Sequence, residues 1–357
     1  MHLSPHEEGI IDSFRNAWDT LPGKILDVQE ATDPSHDVLI RMNVNESQLV
    51  LVVEVKRQVF PRDVREIRWQ LERGYGRQFG QPGEQQYIPM IMADAISPGA
   101  RDEMRRDGTA YFEPGGSLFI PAKSAYLLID KPSEKGGSAK AMTTVFEGQR
   151  AMVLHAIWET LSDEPWFSVK QIAESSGASV GTVSETLHEL ERRDWVEAVG
   201  SGPSKLRRLT NPSNLLDEWK AYQLVQKPPQ MKRYFVPGKI PDIIHQLKDG
   251  SINYEITGEV AGQHYAPYLT KVSTLVCRYN HGLFTDMFLE KIKAKPVSEG
   301  WNFGLIAASP TIRQLRFRQT VDRVKYASPL QTYLDLLQGP GRSKDLAEHL
   351  REQKLKY

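Results

Sequence analysis

Apolar and polar positions follow two rhythms along this chain, and the switches between them predict where helices give way to strands. From Glu8 to Trp18 the apolar residues recur at helical spacing. Runs of strand length follow at Lys24–Glu30, Val38–Met42, Leu49–Val55, Tyr87–Met92 and Ser117–Ile120. A helical stretch at Asp63–Arg73, started by Pro61, separates the third run from the fourth, and another at Pro98–Arg106 precedes the fifth. Helix, three strands, helix, strand, helix, strand is the order of an α/β sandwich. The third run, Leu49-Val-Leu-Val-Val-Glu-Val55, is apolar on both faces, as expected of a strand covered by helices on each side.

The stretch Lys131-Pro-Ser-Glu-Lys-Gly-Gly-Ser-Ala-Lys140 is polar and rich in breakers, so it reads as a linker. After it, Phe146–Leu161 has the spacing of an amphipathic helix with Val153, Ile157 and Leu161 on one side. Ser168–Gly177 is a short helix capped by Ser168 and ended by Gly177. Ala178-Ser179 leads into a longer helix, Val180–Arg193, whose Val183, Leu187 and Leu190 face a core. Trp195–Val199 and Leu206–Thr210 flank Gly200-Ser-Gly-Pro-Ser-Lys205 as a two-stranded wing, completing a winged helix-turn-helix. Turn chemistry at Thr210–Asn214, and the prolines of Gln226-Lys-Pro-Pro-Gln230, close that segment. The expected domains are therefore 1–131, a linker at 132–146, 147–217 and 218–357. In the last, Leu275–Tyr279 reads as a strand and Lys344–Gln353 as a helix, while Gly258, Ala261 and Gly262 would let a helix approach its neighbour closely.

Composition narrows the possibilities. The chain has 357 residues, 40% hydrophobic and 25% charged, the balance of a folded protein. Lys+Arg and Asp+Glu are equal at 45, so any surface that binds a polyanion must be local. The single cysteine, Cys277, excludes an intrachain disulfide framework and zinc sites built from cysteine pairs, and points to a reducing compartment. With no signal-peptide pattern at the start and no run of about 18 apolar residues, the expected location is cytoplasmic, with no membrane partner. The histidines lack zinc-protease spacing, and no glycine-rich phosphate loop ending in Lys-Ser/Thr occurs.

Candidate chemistry sits on the third strand. Glu54 and Lys56 are two apart, so both point to one face at the end of an apolar run. A carboxylate there must be paired, solvated or bound to a cation. Asp37 opens the preceding strand, and a hairpin through Asn43–Ser47 would return the chain beside it, bringing Asp37 near Glu54. Two carboxylates with the Val55 carbonyl suit Mg²⁺ or Mn²⁺, and Lys56 would orient or help deprotonate a metal-bound water for attack on a phosphodiester. Asp37 followed by Glu54-Val-Lys56 in this element order resembles the PD-(D/E)XK nuclease superfamily. The resemblance implies Mg²⁺-dependent DNA cleavage, with Glu7 or Glu8 on the first helix completing the metal site and Gln70 as the glutamine of the following helix. Asp37 follows Ser35-His36 rather than a proline, a departure from the pattern. A competent nuclease, a fold kept for binding alone and a simple surface ion pair all remain open. Basic residues cluster after the motif at Arg57, Arg62, Arg65, Arg68, Arg73 and Arg77. Arg62, Arg65 and Arg68 share one side of a helix, suited either to phosphate or, with Asp63, Glu66 and Glu72 interleaved, to internal ion pairs.

The second segment resembles the winged helix-turn-helix domains of bacterial regulators. That resemblance implies double-stranded DNA as partner, with Ser179, Thr182, Ser184 and His188 nearest the bases and Lys205, Arg207 and Arg208 of the wing on backbone or minor groove. Glu185, Glu189, Glu191 and Asp194 make the far end of the helix acidic, so affinity would be modest unless a homodimer doubled the basic wings. Ile256-Thr-Gly-Glu-Val-Ala, Tyr265-Ala-Pro-Tyr268 and Ser328-Pro-Leu-Gln-Thr-Tyr-Leu-Asp335 before Gly341-Arg342 resemble the AbiEi-type antitoxins of type IV toxin-antitoxin systems. This implies a sequence-specific transcriptional autorepressor whose functional partner is a nucleotidyltransferase-like toxin, without required contact. Gly250-Ser251 followed by Glu255 faintly matches a nucleotidyltransferase entry motif but lacks its paired aspartates. The run Arg313, Arg316, Arg318, Arg323 and Lys325 suits phosphate or a solvated face equally. The expected fold is thus multidomain α/β: a restriction-endonuclease-like α/β domain, a winged helix-turn-helix and a C-terminal mixed α/β domain. Its expected function is regulation through DNA binding or, alternatively, Mg²⁺-dependent endonuclease activity that uses the winged helix to find its target.

Overall fold

Unbroken apolar character over Leu49–Val53 draws that strand into the interior of a seven-stranded sheet, where helices bury both faces. The computed structural model describes all residues except 1–2, 22, 32–34, 46, 82–84, 124, 132–143, 163–164, 249–251, 281–282, 309–313 and 357. It divides into two compact units, one of residues 1–144 with 188–196 and the other of 145–187 with 197–357. Most of the expected linker, 132–143, lies outside the described residues.

The first unit runs α1 (Pro5–Trp18), β1 (Lys24–Glu30), β2 (Val38–Val44), β3 (Ser47–Val59), α2 (Pro61–Tyr75), β4 (Gln85–Ile96), α3 (Pro98–Asp107), β5 (Ala110–Phe112), β6 (Leu118–Pro121) and β7 (Tyr126–Ile129). Its strands lie in chain order across the sheet. The β3–β4 and β4–β5 pairs are parallel because α2 and α3 carry the chain back between them. Side chains alternate along β3: Leu49, Leu51, Val53 and Val55 pack with Ile10, Phe14 and Trp18 of α1. Val52 and Val59 belong to the opposite core, with Val64, Ile67 and Leu71 of α2. Helix α1 begins three residues before its expected start, because Ser4 and Glu7 form a capping box around Pro5. Strands β5 and β7 were not expected, being short, and β7 is only partly covered.

The second unit contains α4 (Gly148–Glu159), β8 (Trp166–Phe167), α5 (Val169–Ser176), the start of α6 (Val180–Arg192), most of β9 (Val196–Val199), β10 (Leu206–Leu209) and α7 (Pro212–Val225). Helix α5 has the expected Ser168 cap and ends at Gly177, whose φ of 74° is left-handed. Val183, Leu187 and Leu190 of α6 are buried as expected. The wing gains a third strand, giving the sheet order β8-β10-β9. Helix α4 departs from expectation. It is not amphipathic, because every residue from Met152 to Trp158 is buried.

The remaining elements are β11 (Met231–Phe235), α8 (Ile240–Leu247), β12 (Tyr254–Thr257), α9 (Gly258–Tyr265), β13 (Leu275–Tyr279), α10 (Leu283–Lys291), β14 (Lys295–Pro296), β15 (Phe303–Ala307), β16 (Gln319–Val321), β17 (Val324–Tyr326), α11 (Pro329–Leu337) and α12 (Ser343–Lys354). Their sheet is mixed, in the order β14-β11-β15-β13-β12-β17-β16. Gly262 of α9 meets α11 and α12 so closely that an added Cβ would lie 2.7 Å from Leu346 Cδ2 and 3.0 Å from Leu336 Cδ1. Among the described residues, no helix is long and apolar enough to cross a membrane.

Candidate active site and candidate nucleic-acid interface

The β2–β3 hairpin assembles the candidate active site. Val44 pairs with Ser47 across a two-residue turn whose first residue, Asn45, has a left-handed φ of 47°. That register sets Val38 opposite Val53 at the end of the paired residues, and Asp37, one residue before β2, lies near enough to Glu54 for its charge to act on that carboxyl. The Asp37 amide donates to the Val53 carbonyl (2.9 Å), and the Val55 amide donates to Asp37 Oδ2 (2.8 Å). Glu54 is buried, with both oxygens occupied: Lys56 Nζ donates to Oε1 (2.5 Å) and Gln70 Nε2 of α2 donates to Oε2 (3.2 Å). Asp37, Glu54, Lys56 and Gln70 therefore meet. Burial pushes both carboxyls above their ordinary range, against the Val55 amide at Asp37 and Lys56 at Glu54. Each acid also feels a carboxylate neighbour, Glu54 from Asp37 and Asp37 from Glu7.

The structure differs from expectation at Glu8, which is exposed on α1, whereas the half-buried Glu7 is the helix carboxylate whose charge reaches Asp37. Glu7 itself accepts the Ser4 amide in the capping box (2.7 Å). Among the described residues, no group of three or more His, Cys, Asp or Glu side chains is placed to hold a metal. The donor set that remains, Asp37 and Glu54, suits Mg²⁺, which is commonly held by one or two carboxylates and keeps several waters. Here the Lys56 ammonium neutralises Glu54, in the role a cation would take.

Three arginines of α2 are occupied. Arg62 pairs with Glu66 (3.2 Å), Arg68 with Glu72 (2.9 Å), and Arg65 with Glu103 (3.1 Å) and Asp194 (2.8 Å). The interleaved acids thus produce the internal ion pairs. Arg192 binds Asp63 (2.6 Å), and Arg193 lies over the Phe60 ring. Behind Gln70 opens a groove of about 1170 Å³, lined by Ser35, Arg65, Gln70, Arg73 and Tyr75 together with the exposed Trp69. Trp69 was not singled out from the sequence. Its signal was there, since it falls off the face that Val64, Ile67 and Leu71 define.

In the helix-turn-helix, Ser184 and His188 are exposed and Thr182 is half-buried. Ser179 is exposed but serves as the helix cap, its Oγ accepting the Thr182 amide (3.1 Å). The wing differs from expectation at Arg207, which is buried because the period of β10 turns it inward with Leu209. Lys205 is half-buried. Arg208 is exposed, yet its guanidinium lies over Trp166 and its Nε donates to Glu197 (2.5 Å). Further on, Arg316 donates to the Glu174 carbonyl and Arg318 to Asn253, so these two make structural contacts. Arg313, Gly250 and Ser251 lie outside the described residues.

No family model matches this chain, and no curated protein matches it. Among solved structures, EndoMS in its apo form is similar over 34% of this chain and 49% of its own, at 17% identity and a TM-score of 0.23. The chain thus spans about half the length of EndoMS. A transcriptional regulator of the IclR family from Rhodococcus sp. is similar over 63% of this chain and 71% of its own, at 13% identity and a TM-score of 0.16. At these scores neither likeness carries an argument about function, and the AbiEi resemblance rests on its sequence motifs alone.

Proposed function

We propose that the protein is a Mg²⁺-dependent DNA endonuclease that uses its winged helix to contact duplex. One observation carries this reading: Asp37 and Glu54 come together at the open end of the β2–β3 hairpin, with Lys56 and Gln70 on the two oxygens of Glu54. Asp37 and Glu54 would hold the metal, which when bound supplies Lewis-acid stabilisation and a more acidic water. Gln70 fixes the rotation of the Glu54 carboxylate from α2. Lys56, half-exposed, is the ammonium that can leave Glu54 to orient the attacking water and to meet charge developing on the phosphate. Glu54→Gln and Lys56→Met should each lower Mg²⁺-dependent cleavage by roughly 10²-fold or more, while Gln70→Ala costs less. Rates are compared on plasmid and linear DNA with melting temperature as a control for folding. Equal cleavage by wild type and both variants would assign the activity to a contaminant.

A second reading is favoured by the exposed Ser184 and His188 on the helix-turn-helix. In it the protein is a DNA-binding regulator of AbiEi type that represses its own operon as a homodimer. Its functional partner is then a nucleotidyltransferase-like toxin, and the nuclease-like unit is kept for binding.

A further inference from the structure

Trp69 is the large side chain near the site that the proposed chemistry leaves unused. It precedes Gln70 on α2 and is 63% exposed, on the side of the helix away from the buried Val64, Ile67 and Leu71. An indole held in water beside a carboxylate site is unusual, because aromatic area of this size is normally buried. One turn along, the guanidinium of Arg73 lies 4.9 Å from the centre of its ring. Both residues line the groove behind Gln70, and Tyr75, stacked on Tyr87, adds a second aromatic to its wall. The charges of Arg65 and Glu66 in this groove are matched by ion pairs with Asp194 and Arg62. Arg73 meets no carboxylate among the described residues, and its guanidinium lines the groove beside the Trp69 ring. At about 1170 Å³ the groove has room for more than one nucleotide, against roughly 300 Å³ for a small ligand pocket.

We propose that this groove takes an unpaired DNA strand, with one base stacked on Trp69 and a phosphate on Arg73. The substrate class would then be DNA with a single-stranded segment beside the cleavage point, not uninterrupted duplex. Bases inside a duplex already stack on each other and present only their edges, so they cannot lie flat on an indole. An exposed aromatic alternating with a cation along one helix face is instead the arrangement of a stacking platform for single strands. Gln70 joins the groove to Glu54, so a strand lying there passes the candidate metal ligands. The cleavage point rests on the nuclease reading above, but the binding does not.

Binding is therefore read without metal. Fluorescence anisotropy would compare the full-length chain on a short labelled single strand, on the same sequence as blunt duplex, and on duplex with a single-stranded extension. The single strand and the extended duplex should bind more tightly than the blunt duplex. Trp69→Ala should weaken both by roughly 5- to 150-fold and leave blunt duplex unchanged. Trp69→Phe should keep most of the affinity, and Arg73→Ala should flatten its salt dependence. Equal single-strand binding by wild type and Trp69→Ala, or an equal loss on blunt duplex, overturns the proposal. Because cleavage is not measured, an inactive metal site leaves this result standing, and an active site with no effect of Trp69→Ala rejects the groove alone.

Discussion

Glu54 and Glu255 are both buried on sheet strands, and their neighbours treat them differently. Glu54 finds donors for both oxygens in Lys56 and Gln70. Glu255 faces Arg278 across the β12–β13 pair, but that guanidinium is bound to Asp335, and Glu255 Oε1 has no hydrogen-bond partner among the described residues. Burial pushes Glu255 from an ordinary 4.5 up to about 8, with Asp335 adding to the shift. The folded state thus holds this proton more tightly than the unfolded chain does. Its contribution to stability is complete below the ordinary carboxylate range and is lost as pH rises through about 8. Glu255→Gln, which keeps the shape and removes the ionisation, should melt higher than wild type at about pH 9 and close to it at about pH 4, by a few kcal/mol at the upper end. Parallel melting curves across that range would show that the group does not titrate on folding. At this scale Glu54 and Lys56 were legible, since period-2 alternation sets them on one face of a strand. The burial of Glu255 was not, because it depends on β12 lying inside the sheet between β13 and β17.

Helices α5 and α9 show how far local chemistry reaches. The start and stop of α5 were legible because caps are written within a turn: Ser168 and Gln171 form a capping box, and Gly177 supplies the left-handed end. For α9 the small residues announced a close approach, and only the fold named the neighbours, α11 and α12. Gly262→Ala should cost about 1–3 kcal/mol by overpacking against Leu336 and Leu346. Gly9→Ala on α1, where an added Cβ meets nothing within 4 Å, should be neutral or stabilise by up to about 1 kcal/mol. Urea unfolding of both variants compares the two cases, and a stable Gly262→Ala would mean that α9 can move away from α12. Helix α4 shows the opposite limit. Val153, Ile157 and Leu161 suggested one apolar stripe, but Met152, Leu154, His155 and Trp158 are buried as well. His155 accounts for its burial by a hydrogen-bonding contact with Ser328 (2.7 Å) and a stacked contact with Phe317.

For the whole molecule, Lys+Arg and Asp+Glu balance at 45 each, and many of the arginines once free to meet phosphate are tied up. Affinity for duplex should therefore depend weakly on salt, losing well under the roughly 10³-fold expected between about 50 and 200 mM for a protein with six or more phosphate contacts. Gel shifts on DNA upstream of its own operon, against random duplex at matched salt, read both this slope and any preference. A clear preference supports regulation, and its absence counts against it. The sequence by itself determined the sandwich order, the helix-turn-helix caps and the shared strand face of Glu54 and Lys56, because each follows from alternation or capping. Tertiary structure decided that Glu7 rather than Glu8 faces Asp37, that Arg207 turns inward, that Arg65 meets Glu103 and Asp194, distant in sequence, and that Trp69 looks into a groove. Those outcomes depend on which elements become neighbours, and a one-dimensional pattern carries that only weakly.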